Sequence, residues 1–193
     1  MTAQTKVAGV ILAGGQARRM NFQNKALMPY RGRPLIAYSF EALSPLVEEI
    51  WISANDAHDV YQQWPARVIS DASPAFLGPL AGVLAAMNAT LAHTLIVVPC
   101  DAPLMTTPLL ARLLLAHQTQ QSAITVARCG ERVQSVFMIV DTALKANLAA
   151  YLAQGERKVQ RWFALHTVHY VDFGTEASGF ENINTPDALL TTP

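Results

Sequence analysis

The first forty residues hold six cationic side chains, and no aspartate or glutamate occurs before Glu41. The cations are Lys6, Arg18, Arg19, Lys25, Arg31 and Arg33. An apolar run among them ends at Gly14 and Gly15, whose lack of a Cβ lets backbone N–H groups approach a ligand. Cationic side chains and exposed N–H groups supply the charge and hydrogen bonds that a phosphate needs. The segment therefore predicts a phosphate site, the alternative being a solvated basic face balanced by acids elsewhere.

Two common nucleotide-binding motifs do not fit this loop. The fingerprint G-x-G-x-x-G needs spaced glycines, whereas Gly14 and Gly15 are adjacent and no third glycine follows. The phosphate loop G-x-x-x-x-G-K-[ST] needs a glycine directly before its lysine, whereas Lys25 lies 10 residues beyond Gly15. The loop is therefore of another type.

Two aspartates follow apolar runs that have the character of strands. Asp101 comes directly after "LIVVPC", and Asp71 closes "ARVISD". A hard oxygen ligand such as Asp101 can hold Mg²⁺, which usually takes one or two carboxylates together with phosphate oxygens and water. The alternative for Asp101 is a simple cap of the following loop. Asp71 can accept hydrogen bonds from a guanine ring or a ribose hydroxyl.

The elements that position these residues alternate between strands and helices. Near-continuous apolar runs at 6–12, 49–54, 66–70 and 94–99 predict strands covered on both faces. Segments with helical periodicity or helix-start signals lie between and after them, at 33–43, 56–64, 78–89 and 106–118. This alternation predicts a parallel α/β sheet, in which ligands bind outside the carboxyl ends of the strands.

The second half of the chain is less regular. Strands are expected at 122–128 and 132–140, joined by a hairpin turn at 129–131, and again at 167–173. Helices are expected over 142–155, ending at Gly155, over 158–165, and as a short final helix over 185–190. Because no linker, repeat or boundary interrupts the pattern, we expect residues 1–193 to form a single domain.

Composition narrows the class of protein. The 14 basic and 14 acidic side chains cancel, which argues against a general nucleic-acid or membrane-surface binder. No secretory or membrane-spanning segment is recognisable, and Cys100 and Cys129 suggest reduced thiols rather than a disulfide or a zinc site. A cytoplasmic protein is expected.

The segment "LAGGQARRMNFQNKAL" (12–27) resembles the glycine-rich signature of Rossmann-like nucleotidyltransferases, and within them the family of molybdenum cofactor guanylyltransferases. The segments "GRPLI", "VISD", "GPLAG", "PCDAP", "GERKV" and "NINTP" follow in that family's order. The resemblance implies a three-layer α/β fold with a mainly parallel mixed sheet. It also implies transfer of GMP from GTP to the phosphate of molybdopterin, the pterin of the molybdenum cofactor, with release of pyrophosphate.

The resemblance also assigns roles to individual residues. It makes Lys25, Arg19 and Asp101 catalytic, with Mg²⁺ on Asp101. The nucleotide would be bound by Leu12, Ala13, Gly14, Gly15, Lys25, Ser53, Asp71, Gly78, Gly82 and Asp101. The acceptor would be bound by Arg157, Lys158, Asn182 and Asn184 in the C-terminal half. GTP, molybdopterin and cofactor-insertion or cofactor-delivery proteins are the implied partners.

Two positions depart from the family's signature: Asn21 stands where glycine is usual, and Asn24 where aspartate is usual. Asn24 removes a negative charge and leaves the loop more cationic. Two alternatives therefore stay open. One is a cytidylyltransferase for the same cofactor, or a transferase acting on another small phosphate, and the other is a non-catalytic protein that binds the nucleotide or hands over the cofactor.

Overall fold

A computed structural model describes residues 6–14, 24–55, 58–70 and 78–183. Its main feature is a seven-stranded sheet. The strands of the molecule are β1 (Val7–Leu12), β2 (Pro29–Tyr30), β3 (Arg33–Pro34), β4 (Glu49–Ser53), β5 (Arg67–Ile69), β6 (Thr94–Pro99), β7 (Ile124–Cys129), β8 (Arg132–Asp141) and β9 (Val168–Asp172). The sheet has the order β5-β4-β1-β6-β8-β7-β9, and β8 alone runs antiparallel to its neighbours, so the predicted mainly parallel mixed sheet is confirmed.

Helices cover both faces of this sheet. They are α1 (Leu35–Leu43), α2 (His58–Tyr61), α3 (Pro79–Ala89), α4 (Thr107–Gln120), α5 (Lys145–Ala153) and α6 (Val159–Phe163), with 3₁₀ turns at Lys25–Leu27, Ser44–Leu46, Thr142–Leu144 and Gly174–Phe180. Buried residues of α1 and α4, such as Ile36 and Leu110, form one hydrophobic cluster with Ile11. Residues of α3 and α6, such as Leu80 and Trp162, form the other with Val10. The fold is therefore a three-layer α/β sandwich.

The alternation along β1 explains how one strand serves both clusters. Successive side chains of a strand point to opposite faces, so Val10 and Ile11 belong to different layers, and both are fully buried. A strand buried on both faces is expected to be apolar throughout. The unbroken apolar run at 6–12 thus has its physical cause in the position of β1 at the centre of the sheet.

The order of the strands creates a switch point at β1. The chain passes from β1 to β4 and β5 on one side, and then returns to β6 on the other side of β1. Ile11 is paired with Ile52 of β4 and with Val98 of β6, both in parallel register. In open α/β sheets, a crevice forms at the carboxyl ends of the strands where the chain reverses direction in this way. The segments after Leu12 and after Pro99 both begin at this crevice.

Most of the predicted elements of the second half are present. The hairpin turn at Gly130 joins β7 and β8, and α5 is followed by Gly155 with φ of 83°, the left-handed geometry that ends helices. The predicted final helix at 185–190 lies outside the described residues. Among the described residues, the model contains no helix that is long and apolar enough to span a bilayer.

Candidate active site

Two charged side chains from distant parts of the chain meet at the switch point. Lys25 opens the 3₁₀ turn Lys25–Leu27, and Asp101 follows β6 after one intervening residue. The Lys25 Nζ donates to Asp101 Oδ2 in an ion pair, although the two residues are 76 positions apart. Their side chains are 18% and 12% exposed. The charges are therefore largely buried, yet still accessible from the crevice.

The ends of β1 and β6 are tied together directly beneath this pair. The Cys100 N–H donates to the Leu12 carbonyl at 3.2 Å, and the Ile183 N–H donates to the Asp101 carbonyl at 2.9 Å. The second contact places Asn182, a predicted acceptor ligand, next to the loop that carries Asp101. Burial is the main cause that raises the pKa of the Cys100 thiol, and the neighbouring Asp101 charge raises it further. Cys100 is therefore a protonated packing residue and not a thiolate ligand at neutral pH.

The predicted glycine-rich segment begins beside β4. The Ala13 N–H donates to the Ser53 carbonyl at 2.8 Å. A Cβ on Gly14 would lie 3.6 Å from the Ser53 carbonyl oxygen and 3.7 Å from the Asn55 Nδ2. Asn55 is therefore next to the loop, although the sequence assigned it no role; its place directly after a predicted strand was the available signal.

Ser53 and Gly82 meet in the core rather than in the crevice. Ser53 is only 3% exposed, and a Cβ on Gly82 would lie 2.4 Å from the Ser53 Oγ and 2.9 Å from the Leu12 Cδ2. Gly82 thus lets α3 pack closely against β1 and β4. The structure gives Gly82 a packing role and turns the Ser53 hydroxyl toward α3, whereas the resemblance implied nucleotide contacts for both.

Gly78 lies at the beginning of α3 and is exposed. Its φ of 77° is a conformation that favours glycine, and no side chain caps the helix start. Because α3 follows β5 and leads into β6, its N-terminus lies at the carboxyl edge of the sheet. The partial positive charge of the helix therefore lies at the edge that carries Lys25 and Asp101.

The predicted acceptor residues Arg157 and Lys158 follow α5. The Arg157 Nη1 donates to the Leu152 carbonyl at 2.6 Å and to the Glu156 carbonyl at 2.5 Å, while the Lys158 carbonyl accepts from the Tyr151 hydroxyl at 2.8 Å. The guanidinium thus fixes the path of the chain between α5 and α6. The Lys158 residue is exposed.

Four of the predicted site residues lie outside the described residues: Gly15, Arg19, Asp71 and Asn184. Within the described ranges, no group of three or more histidine, cysteine, aspartate or glutamate side chains could by itself hold a metal ion. Asp101 nevertheless fits Mg²⁺, because this ion usually takes one or two carboxylates and completes its shell with water and substrate phosphates.

The mainly parallel sheet, with a lysine–aspartate pair at its switch point, has the architecture of an α/β nucleotidyltransferase. A family model described as a MobA-like NTP transferase domain matches residues 9–170. The chain is 42% identical over 184 residues to the molybdenum cofactor guanylyltransferase of Shewanella amazonensis, covering 95% of this chain and 94% of that protein. It is 43% identical over 189 residues to the enzyme of the same name from Shewanella halifaxensis, with 97% and 92% covered. The chain belongs to the MobA-like NTP transferase family.

Solved structures share this fold at lower identity. Molybdopterin-guanine dinucleotide biosynthesis protein A from Archaeoglobus fulgidus has a TM-score of 0.80 at 23% identity, with 95% of each chain covered. A Mycobacterium tuberculosis protein solved in complex with manganese has a TM-score of 0.67 at 16% identity, with 88% of this chain and 89% of that chain covered. At these identities the likeness concerns the fold alone.

Proposed function

We propose that this protein transfers the GMP unit of GTP to the phosphate of molybdopterin, forming molybdopterin guanine dinucleotide and pyrophosphate. The observation that carries the proposal is the Lys25–Asp101 pair at the switch point of the sheet. The names of relatives more than 40% identical over nearly the full chain supply the substrates.

The reaction requires alignment of two anions more than it requires a strong base. An oxygen of the acceptor phosphate forms a bond to the α-phosphorus of GTP, and the bond between that phosphorus and the bridging oxygen breaks. Pyrophosphate leaves with the electron pair. Because the acceptor phosphate is already an anionic nucleophile, catalysis consists of positioning and of stabilising the charge on the leaving group.

Lys25 is the residue placed to carry this charge. Its ammonium is compensated by Asp101. We propose that it donates to the triphosphate when GTP binds, together with Arg19 and the backbone N–H groups of Gly14 and Gly15. A lysine held at the crevice by a carboxylate is already oriented before the ligand arrives, which lowers the entropic cost of binding.

Asp101 would hold Mg²⁺ once the pair with Lys25 is replaced by contacts to the nucleotide. The ion would supply charge neutralisation of the phosphates and polarisation of the α-phosphorus. The carboxylate is well placed for this task because the backbone of Asp101 is fixed. The Ile183 N–H donates to the Asp101 carbonyl at 2.9 Å. The loop after β6 is thereby anchored to the segment that carries Asn182.

The remaining contacts divide between the two halves of the chain. We propose that Leu12, Ala13, Asp71 and Gly78 line the nucleotide site, with the Asn55 amide beside Gly14 as a further polar contact. The buried Ser53 and Gly82 shape this site from behind.

The C-terminal half would bind the acceptor through Lys158, Asn182 and Asn184, with Arg157 holding the chain that presents them. On this proposal the two halves form a single domain of a cytoplasmic enzyme. That enzyme would exchange its cofactor with insertion or delivery proteins.

The test is pyrophosphate release from GTP and molybdopterin with Mg²⁺ present, comparing the wild-type protein with Asp101→Ala. The proposal predicts Mg²⁺-dependent release by the wild type and its loss in the variant. Equal release by both proteins would eliminate this mechanism. A parallel measurement with CTP separates the candidate substrates, since preference for CTP would overturn the guanylyl assignment. Normal GTP binding without any turnover would instead indicate a binding or handover protein.

A further inference from the structure

The turn that carries Lys25 is held by a hydrogen bond from a different part of the chain. The Tyr61 hydroxyl donates to the Asn24 Oδ1 at 3.0 Å, and the same oxygen accepts from the Ala26 N–H at 3.1 Å. Asn24 thus serves as the N-cap of the 3₁₀ turn Lys25–Leu27, and Tyr61 is the last residue of α2. The residue next to Lys25 is therefore connected to the segment between β4 and β5.

Tyr61 is a rigid anchor for this contact. Tyr61 is 0% exposed and belongs to the same hydrophobic cluster as Ala26 and Ile52. Its ring also packs against Trp64 with 6.3 Å between centroids. A side chain packed on all sides has little freedom to move, so its hydroxyl defines a fixed point to which the cap residue is attached.

The turn itself is short, and both the burial of Ala26 and the Asn24 cap hold it in place. It contains three residues, and its backbone hydrogen bonds run from Leu27 to Asn24 at 3.1 Å and from Met28 to Lys25 at 3.2 Å. Hydrogen-bond geometry in 3₁₀ turns is poor, and an isolated turn fixes several dihedral angles for very few bonds. The direction of the Lys25 side chain depends on the cap, because the cap sets where the turn begins.

We infer that Tyr61 is a positioning residue, which acts through Asn24 to hold the Lys25 ammonium against Asp101. What Lys25 does there rests on the proposed function. Because Asn24 is a neutral amide, it accepts the tyrosine hydrogen bond without adding a second negative charge beside the ammonium. Tyr61 therefore orients Lys25 while Asp101 compensates its charge.

The first test needs no substrate and measures acylation of Lys25 by a water-soluble amine-reactive reagent, followed by mass spectrometry. An ammonium engaged in an ion pair reacts slowly, so a loosened pair reacts faster. Tyr61→Phe should raise the labelling rate of Lys25 by roughly 2- to 12-fold, the range expected for the loss of one hydrogen bond, relative to the exposed Lys6 in the same sample. Asn24→Ala removes this acceptor and also the cap of the turn, so it should give a rise at least as large.

Tyr38→Phe is the matched control, because the Tyr38 hydroxyl also makes a hydrogen bond, at 2.7 Å to the Tyr30 carbonyl, and that bond involves neither Asn24 nor Lys25. It should leave Lys25 labelling unchanged. Unchanged labelling in Tyr61→Phe, whatever the result for Asn24→Ala, or an equal rise in Tyr38→Phe would overturn the inference whether or not the protein turns over GTP.

The second test is a double-mutant cycle on kcat/KM for GTP. Tyr61→Phe should lower this value by roughly 2- to 12-fold in the wild-type background and have almost no effect in the Lys25→Ala background, since its role passes through Lys25. Equal effects in both backgrounds would mark Tyr61 as a merely structural residue and contradict the inference. Absence of turnover in the wild type would count against the proposed function, and the labelling experiment would then decide the role of Tyr61.

Discussion

At the scale of single residues, the Lys25–Asp101 pair is the centre of the site. Both side chains are mostly buried, and a buried charge is tolerated when a partner compensates it. The two charges stabilise each other, and on the proposed function a triphosphate with its metal ion would offer a replacement partner to each. On the proposed function, the pair is a site at which each charge exchanges its partner when the nucleotide binds.

Lys25→Ala should weaken GTP binding by about 1.5–3 kcal/mol, the scale of a hydrogen bond to a charged group. The change removes the ammonium and also leaves Asp101 without its partner. Titration calorimetry with Mg·GTP measures the loss directly. Lys145→Ala is the control, because Lys145 is exposed at the beginning of α5. It lies near the start of β6, at the end of the sheet opposite to the crevice. Equal affinity of Lys25→Ala and the wild type would remove Lys25 from the nucleotide site.

Asp101 could be singled out from the sequence because it follows a strong apolar run, and Lys25 because it lies in a cationic segment without acids that resembles the family's signature. The hydrogen bond between Tyr61 and Asn24 could not be predicted in the same way. It joins residues 37 positions apart through a four-residue helix, and Tyr61 belongs to no recognisable chemical motif. Such contacts depend on how a connecting segment packs, which a one-dimensional pattern does not encode.

At the scale of elements, the packing of α3 against β1 and β4 shapes the floor of the site. Gly82 is the point of closest approach, since a Cβ there would meet the Ser53 Oγ at 2.4 Å. The resemblance implied a ligand role for Gly82, and its packing contact could not be predicted because that contact is made across two elements. Gly78, four residues earlier, lies at the exposed end of the same helix and is the one that faces solvent.

Gly82→Ala should lower the free energy of unfolding by about 1–3 kcal/mol, because the added methyl group overpacks a close helix–sheet contact. Urea denaturation monitored by tryptophan fluorescence gives the value. The double variant Gly82→Ala with Ser53→Gly should recover part of the loss, since it removes the Ser53 side-chain atoms that the new Cβ meets. A neutral Gly82→Ala variant would show that α3 does not pack as closely as described.

One amide of α5 accepts two hydrogen bonds from α6 and the residues that follow it. The Asn147 Oδ1 accepts from the Trp162 Nε1 at 2.9 Å and from the His166 Nε2 at 3.0 Å. Burial lowers the pKa of His166, which agrees with a neutral ring that donates one hydrogen bond. Arg157 and Lys158 lie between these two helices. The amide therefore also helps to hold the segment that is proposed to bind the acceptor.

Asn147→Ala should therefore destabilise the protein by about 1 kcal/mol, the usual net value of a hydrogen bond. Asn147→Asp keeps an acceptor at the same place and serves as the matched control in the same denaturation experiment. Stability of Asn147→Ala equal to that of the wild type would show that water replaces the amide without cost.

The short hairpin of β2 and β3 could not be predicted from the sequence at all. Each strand has two residues, which is below the length at which alternation becomes visible, and its turn places Arg31 and Gly32 at φ of 48° and 78°. Positive φ at both central residues fits a type I′ turn, for which an arginine is an unusual occupant. The signal that usually announces such a turn was therefore missing.

At the scale of the whole molecule, strand order brings the two halves of the proposed site together. The four parallel strands β5, β4, β1 and β6 are all from the N-terminal half, and their alternation with helices made the parallel sheet predictable. The position of β8 between β6 and β7 depends on a long-range antiparallel pairing, Leu95 with Val140 for example. Periodicity along the sequence indicates which segments form strands. It does not indicate which strands are neighbours, because strand order depends on contacts between distant parts of the chain.

The far edge of the sheet gives a prediction about acid stability. The Asp172 Oδ1 accepts from the Gly130 N–H at 3.1 Å and from the Gly174 N–H at 3.0 Å, and these hydrogen bonds hold the pKa of Asp172 below its usual value. Because the folded-state pKa is depressed, the contribution of Asp172 to stability is present above the ordinary carboxylate pKa of about 3.9 and is lost as the pH falls toward the folded-state pKa.

Asp172→Asn should therefore flatten the decline in stability below about pH 4, as measured by urea midpoints at a series of pH values. Glu176→Gln is the comparison, since the Glu176 carboxylate accepts from Arg112 and not from these two N–H groups. If Asp172→Asn and the wild type lose stability in parallel as the pH falls, the carboxylate has no role in holding this edge.

The most direct measurement of the central claim is a crystal structure of the protein with GTP and Mn²⁺, in which the anomalous signal of manganese locates the ion. We expect the ion at a coordinating distance from the Asp101 carboxylate and bound to phosphate oxygens of the nucleotide. The Lys25 Nζ should have moved from Asp101 to the triphosphate. A triphosphate bound away from both residues, with their ion pair intact and the manganese elsewhere, would contradict the account.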